Sequence, residues 1–312
     1  MPAFCTHYLF MKDMKNVIKD TLNFDMNESA ASIGTQGPDI FFFHRAIPIL
    51  MPGITCRKIG SVLHRIKAED IFGAFADYLK MSEHKDIAKS YIYGFILHYA
   101  LDRNCHPFVY AYENKIKEKK RFLHHNSAHN MIEMEMDAYL LYVKLNISNS
   151  AQFDSAKTFA ASDEEMAEIS KLLSYVIKRT VNKNINEAKI QRAIKDTAKL
   201  QKLLRDRYGI LTILCKITDT VLAPLIWHYK FSSMIKPKDW KKYSEYVNIK
   251  NDDWRSPYDM DKIRNESFLE LYEKSKVDAL ALLEGFERIL KGEAESKDVT
   301  NNISFLTGCE VK

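Results

Sequence analysis

The sequence predicts an all-α protein, a multi-helix bundle, on three observations. Its 312 residues include only ten Gly and eight Pro, too little punctuation for a loop-rich β fold. Several long stretches repeat apolar residues at helical spacing, and no run of β-branched residues alternates strictly with polar ones. Hydrophobic residues make up 46% and charged residues 28%, so the chain can bury a core and is neither disordered nor collagen-like. The net charge of +5 neither demands nor excludes a nucleic-acid partner.

In chain order, the opening MPAFCTHYLFMKDMK lacks a basic start, an unbroken apolar run and a small-residue cleavage site, so no secretory signal is read. Five cysteines, an odd number with no Cys-x-x-Cys pair, argue for a reducing compartment. A cytoplasmic location is expected. Residues 91–101 are apolar or aromatic nearly throughout and predict a helix buried on all sides, which Pro107 should stop or redirect. A polar run at 146–162 separates a histidine-rich part, 1–145, from residues 146–312, read as additional helices packed on the same domain. Ser162 and Glu165 have capping-box spacing at the start of one such helix. Residues 187–207 and Phe268–Lys291 are amphipathic. The apolar segment 208–231 is interrupted by Lys216, Asp219 and Pro224, which predicts a buried helix rather than a membrane span. The tail from Gly292 is polar and reads as frayed at its end.

Histidine is unevenly distributed. Nine of ten lie at or before residue 129, and only His228 lies beyond it. Within YIYGFILHYALDRNCHP, His98, Asp102 and His106 are spaced by four, so each advances about 40° and all three share one stripe. A lone His on such a helix is usually a core histidine with a hydrogen-bond partner. Three polar groups in register on a buried stripe each need compensation, and a divalent metal bound by imidazole and carboxylate supplies it. In HHNSAHNMIEMEMDAYLL, His129 and Glu133 share a face. The pair suits a metal and suits an ordinary helix ion pair equally. His124 and His125 read as helix-start residues or as partners behind the ligands. His7, Asp39 (in QGPD) and His64 carry little information singly: Asp39 also suits a helix cap, and His64 a partly buried core position. Other hydrolase motifs are absent: there is no His-Asp dipeptide, His-Glu-x-x-His, Glu-x-x-His or Gly-x-Ser-x-Gly.

The order His7, Asp39, His64, His98-x-x-x-Asp102, His106, His129-x-x-x-Glu133 resembles the zinc-dependent phospholipase C superfamily. That group includes bacterial phospholipase C, the fungal zinc nucleases and the N-terminal domain of GPI-specific phospholipase D. THYLF, QGPD, GFILHYALD and SAHNMIEMEMD look most like its uncharacterised bacterial branch, and KLLRDRYG and WRSP are similar to segments of the same branch. The resemblance implies an all-α fold, about two to three zinc ions per chain and phosphate-ester hydrolysis by a metal-activated water. Asp39, His64, His98 and Asp102 would hold one zinc. Asp102 would bridge to a second, completed by His7 and the amine of Pro2 after loss of Met1. His106, His129 and Glu133 would hold a third. Asp39 would also orient the attacking water, and Asp137 and Glu135 are candidates to accept from ligand imidazoles. Two departures stand out: three residues separate Asp102 from His106, where secreted relatives have five, and the chain starts Met1-Pro2 rather than with an exposed tryptophan. Cys5 and Cys105 neighbour ligand candidates and are expected to stay out of the metal sphere.

The implied substrate is a phosphate ester, with phospholipid as one class; Phe41-Phe42-Phe43 and the uncharged stretch 46–56 suit an apolar groove as well as core and loop. Nucleic acid enters only as a substrate of a nuclease or nucleotidase, for which Tyr8, Tyr99 and Tyr110 are available to stack. A non-catalytic structural metalloprotein is the remaining alternative.

Overall fold

The computed structural model describes residues 4–46, 53–222, 225 and 227–311. Helices dominate it: α1 (Phe4–Leu22), α2 (Glu28–Gly34), α3 (Lys58–Leu63), α4 (Ala68–Met81), α5 (Lys85–Lys119), α6 (His125–Leu145), α7 (Asp163–Val181), α8 (Glu187–Leu204), α9 (Ile210–Val221), α10 (Phe268–Lys291) and α11 (Ser296–Thr300). The protein is all-α apart from one small hairpin, β1 (Trp254–Ser256) and β2 (Asp259–Arg264).

Helix α5 is the axis. Its 35 residues span about 50 Å, and between Ser90 and Val109 nearly every side chain is buried. Around it pack α2, α10, α6, α7 and α1. The closest approach is to α2, where a Cβ on Gly94 would lie 2.2 Å from the Ala31 carbonyl oxygen. That backbone-to-backbone seam draws the turn following α2, which carries Asp39, against the middle of α5.

Capping fixes several boundaries where the sequence places them. Ser162 and Glu165 form the reciprocal box at α7, and Ser267 with Glu270 repeats it at α10. His124 caps α6, its Nδ1 accepting from the Asn126 N–H. Residues 146–162 are an ordered connection: Ser32 Oγ donates to the Thr158 carbonyl at 2.6 Å, and Phe159 is buried.

Four expectations are corrected. Pro107 lies inside α5 and does not end it. An interior proline costs about 3 kcal/mol, and here burial of the flanking Cys105, His106, Phe108 and Val109 offsets that cost. The hairpin was not visible as alternation, because β2 is almost wholly exposed; it is anchored by Trp254, buried against Phe108 with its Nε1–H donated to the Glu266 carbonyl at 3.0 Å. The tail is not frayed: after Gly292 it forms α11 and a bridge between Ile303 and Glu310, and it buries Phe305.

The fourth correction concerns 208–231, which is not one buried helix. Gly209, at φ 79°, starts the short α9. Asp219 turns inward to accept from the N–H groups of Phe231 and Ser232, and that orientation sends the aliphatic stripe of α9 outward. No helix among the described residues is long and apolar enough to cross a membrane.

Candidate metal centre

The buried stripe of α5 meets residues from four other elements. His7 comes from α1, Asp39 from the 3-10 turn Gly37–Phe41, His64 from the C-cap of α3, and His129 with Glu133 from α6. Potential ligand atoms gather in three groups, each within 4.8 Å: His7, Asp39 and His98; His64, His98 and Asp102; His106, His129 and Glu133. Every described candidate is therefore brought into one chain of groups, with His98 shared by the first two. Pro2 lies outside the described residues, as do residues 47–52 of the uncharged stretch.

Asp102 is the hub. Its carboxylate lies 3.3 Å from His7 Nε2, 3.1 Å from His98 Nε2, 3.8 Å from His64 Nε2 and 3.7 Å from His106 Nδ1. Asp39 sits 3.2 Å from His64 Nε2. Yet His7 Nε2, His64 Nε2, His98 Nε2, Asp39 Oδ1 and both Asp102 oxygens make no aligned hydrogen bond among the described residues. These atoms are close without being aimed at one another. A cation among them satisfies all of them together, whereas leaving them bare costs several kcal/mol.

The far nitrogens settle the tautomers. His64 Nδ1 lies 2.7 Å from the Gly60 carbonyl, His98 Nδ1 3.2 Å from that of Thr35, and His106 Nδ1 2.6 Å from that of Phe305. A carbonyl only accepts, so each Nδ1 carries the proton and each Nε2 presents a lone pair. His129 differs, with a carboxylate at each nitrogen: Glu113 lies 3.2 Å from Nδ1 and Glu133 3.0 Å from Nε2, a pair of acceptors that favours the ring protonated on both. Orienting a ligand imidazole through its second nitrogen is how protein metal sites fix ring and tautomer.

Electrostatics agree. Burial, reinforced by His98, lowers His7 to about 4, and burial lowers His106 to about 3 and also depresses His64, so these rings are neutral near pH 7. Burial pushes the Asp102 carboxyl up, but His98 and His106 outweigh it and hold the group well below the carboxylate range. Burial raises Asp39 well above that range. At His129 burial lowers and Glu133 more than restores, leaving the ring above its ordinary value.

Gly37 makes the geometry possible. Its φ is +53°, and a Cβ there would lie 2.4 Å from the His98 ring. No other residue fits between that turn and α5.

Several second partners were not foreseen. Phe305, in the tail, supplies both the carbonyl for His106 and a ring 5.7 Å from that of His64. Glu113 lies seven residues beyond His106 on the same α5 face, a spacing that could have revealed it. Asp137, by contrast, accepts from the Cys5 and Thr6 N–H groups and from Thr6 Oγ1, so it anchors the start of α1 rather than an imidazole. Glu135 is buried and touches no ligand histidine through a hydrogen bond. Cys5 and Cys105 belong to none of the candidate groups among the described residues, and burial pushes the Cys105 thiol up to about 12.

The centre is closed at one end and open at the other. His7, His64, His98 and Asp102 are buried, whereas the His129 side chain is 17% exposed beside Tyr110. Tyr258, at the hairpin turn, packs edge-on against Tyr110 with centroids 5.4 Å apart and completes the lip. Tyr99 faces away, donating to the Ile303 carbonyl, and Tyr8 packs on Phe153. Phe41 is core, while Phe42 lies over His64.

No curated protein and no solved structure matches the chain. A family model does, over residues 6–205, a span that carries all eight described metal-ligand candidates and more than half of the protein. With that match added to a buried chain of imidazoles and carboxylates arranged for cations, the protein belongs to the zinc-dependent phospholipase C family.

Proposed function

We propose that the protein hydrolyses phosphate esters, with phospholipids as the favoured substrate class, using zinc held by His7, Asp39, His64, His98, Asp102, His106, His129 and Glu133. The observation that carries this reading is the common tautomer of His64, His98 and His106, each held by a backbone carbonyl with Nε2 turned inward. When bound, zinc supplies the Lewis acidity that brings the pKa of water towards neutrality and offsets charge on a phosphate ester.

The chain's own residues do the rest. Burial keeps His7, His64 and His106 unprotonated, so their lone pairs are available near neutral pH. Asp102, between the rings of α1, α3 and α5, ties the two deep groups together. Asp39 Oδ1 is the atom we assign to orient the attacking water and receive its proton, since this oxygen borders the deep groups and makes no hydrogen bond among the described residues. No side-chain nucleophile is needed. Entry is from the His129 end, where Tyr110 and Tyr258 flank the opening. That aromatic lip also favours a second reading, in which a nucleotide base stacks there and the chain is a nuclease or nucleotidase.

Elemental analysis of the purified chain, together with hydrolysis of a phosphocholine diester, single-stranded DNA and a nucleoside monophosphate, tests both. We expect about two to three zinc ions and turnover of the diester. Asp102→Asn should lose more than one zinc equivalent and roughly 100-fold or more in rate. Full zinc retention by Asp102→Asn would overturn the ligand assignment. Zinc without turnover of any ester would make the chain a structural metalloprotein.

A further inference from the structure

Helix α9 is built inside out. Ile210, Ile213, Leu214, Ile217 and Val221 recur at helical spacing and are 55–68% exposed, while Thr212, Thr218 and Asp219 face the protein. Tyr208, 84% exposed, precedes the helix in the chain, and Trp227, 80% exposed, follows it, with the neighbouring His228 ring packed on exposed Phe122. An exposed apolar stripe of this kind on a folded chain marks an interaction site. Helix α9 itself lies outside residues 6–205, so the family match does not account for its stripe.

Charge indicates the partner. Residues 199–242 hold ten Lys and Arg against three Asp, a net +7, whereas the whole chain is +5 and the remainder is therefore −2. Two of those aspartates are consumed internally: Asp206 accepts from the Leu211 and Thr212 N–H groups, and Asp219 from those of Phe231 and Ser232. Among the cations Lys236 is buried beside Asp137 and Arg205 pairs with Asp154, whereas Lys202, Arg207, Lys216, Lys230 and Lys238 are exposed. A second copy laid on this face would set positive rim against positive rim. An anionic lipid surface meets both features, apolar stripe and basic surround.

We propose that α9 docks the protein on anionic phospholipid membranes, lying in the plane of the interface. Twelve residues give about 18 Å of helix against a hydrocarbon core of about 30 Å, so α9 lies on the bilayer and does not span it. Tyr208 before the helix and Trp227 after it are exposed aromatics of the kind that favour the interface, and exposed Lys216 is long enough to reach lipid phosphate from the flank of the stripe.

The helix is also fastened to the metal centre. The segment after α9 is bound to the first turns of α6: Lys230 N–H donates to Ser127 Oγ at 2.8 Å, His124 N–H to the His228 carbonyl, and Asn130 Nδ2 to Tyr229 Oη. Residue 130 adjoins His129, at the open end of the centre. Docking through α9 thus brings that opening to the lipid face, a consequence that rests on the function proposed above. The docking itself does not.

Co-sedimentation with sucrose-loaded vesicles separates the two. The zinc-loaded full chain should bind phosphatidylcholine vesicles containing phosphatidylglycerol, bind pure phosphatidylcholine far less, and release at high salt. Ile213→Gln combined with Ile217→Gln should weaken binding roughly 10-fold or more, with an unchanged circular-dichroism spectrum and unchanged hydrolysis of a short water-soluble diester. Asp102→Asn should still bind, so loss of catalysis and loss of docking are read independently. The proposal is overturned if the wild-type chain ignores anionic vesicles or the double variant binds them equally. It is also overturned if sedimentation shows a dimer that the double variant abolishes, since the stripe is then a subunit interface.

Discussion

Helices α5 and α9 follow opposite rules with the same periodic pattern. On α5 the stripe His98, Asp102, His106 carries the polar groups, and it faces inward. On α9 the stripe Ile210, Ile213, Ile217, Val221 carries the apolar groups, and it faces outward. The difference lies in partners supplied from distant parts of the chain. The α5 imidazoles find the Thr35 and Phe305 carbonyls, 63 and 199 residues away. Asp219 of α9 finds the backbone N–H groups of 231 and 232 and pins its helix polar side in. Spacing shows that a stripe exists; hydrogen-bond partners decide which way it points.

The sharpest test of the inward rule is Gly37→Ala. The substitution adds a methyl where φ is +53° and where a Cβ comes within 2.4 Å of His98. Backbone strain and the displaced imidazole together should cost ~2–4 kcal/mol. Zinc content should fall with stability, because His98 belongs to two of the three ligand groups. Urea unfolding and elemental analysis read the two effects, and wild-type values for both would show that the α2–α5 seam does not position the centre.

A buried acid outside the centre gives an intermediate case. Glu135 on α6 is buried, and its Oε1 has no hydrogen-bond partner among the described residues. Burial, with a smaller push from Asp239, raises it from 4.5 to about 8. The folded chain therefore holds this proton more tightly than the unfolded chain does. Stability from that proton is complete below about pH 4.5 and is lost as pH rises through about 8. Glu135→Gln removes the dependence: its melting temperature should match wild type near pH 4.5 and exceed it by several degrees near pH 9. A constant difference at both values would mean that Glu135 is ionised in the fold.

Much of the centre was legible because α5 and α6 place their ligands one helical turn apart, a pattern that buried core rarely produces in triplicate. Ser162 and Phe268–Lys291 were legible for a similarly local reason, since caps and amphipathic periods are written within a few residues. What escaped was non-local. Phe305 is one aromatic in a polar tail, with no period to announce it, yet it closes the roof over His64 and His106. Pro107 looked like a stop because a proline read alone breaks a helix, whereas burial of its neighbours carries α5 through it. The Trp254 hairpin was hidden because its second strand buries almost nothing and so shows no alternation.

The smallest expected effect tests the outward rule. In an ordinary amphipathic helix, replacing two isoleucines of the apolar stripe by glutamine removes core contacts and costs several kcal/mol. On α9 the Ile213 and Ile217 side chains are 60% and 56% exposed, so the folded chain gains little from them. Glutamine is also a good helix former, and it leaves the inward Asp219 bonds to Phe231 and Ser232 intact. Ile213→Gln with Ile217→Gln should therefore stay within about 0.5 kcal/mol of wild type in urea unfolding without lipid. A loss of several kcal/mol would place these residues in a packed interior, and the contrast between α5 and α9 would collapse. A null effect on stability, set beside a change in vesicle binding, would mean that these two isoleucines serve a surface beyond the protein and not its fold.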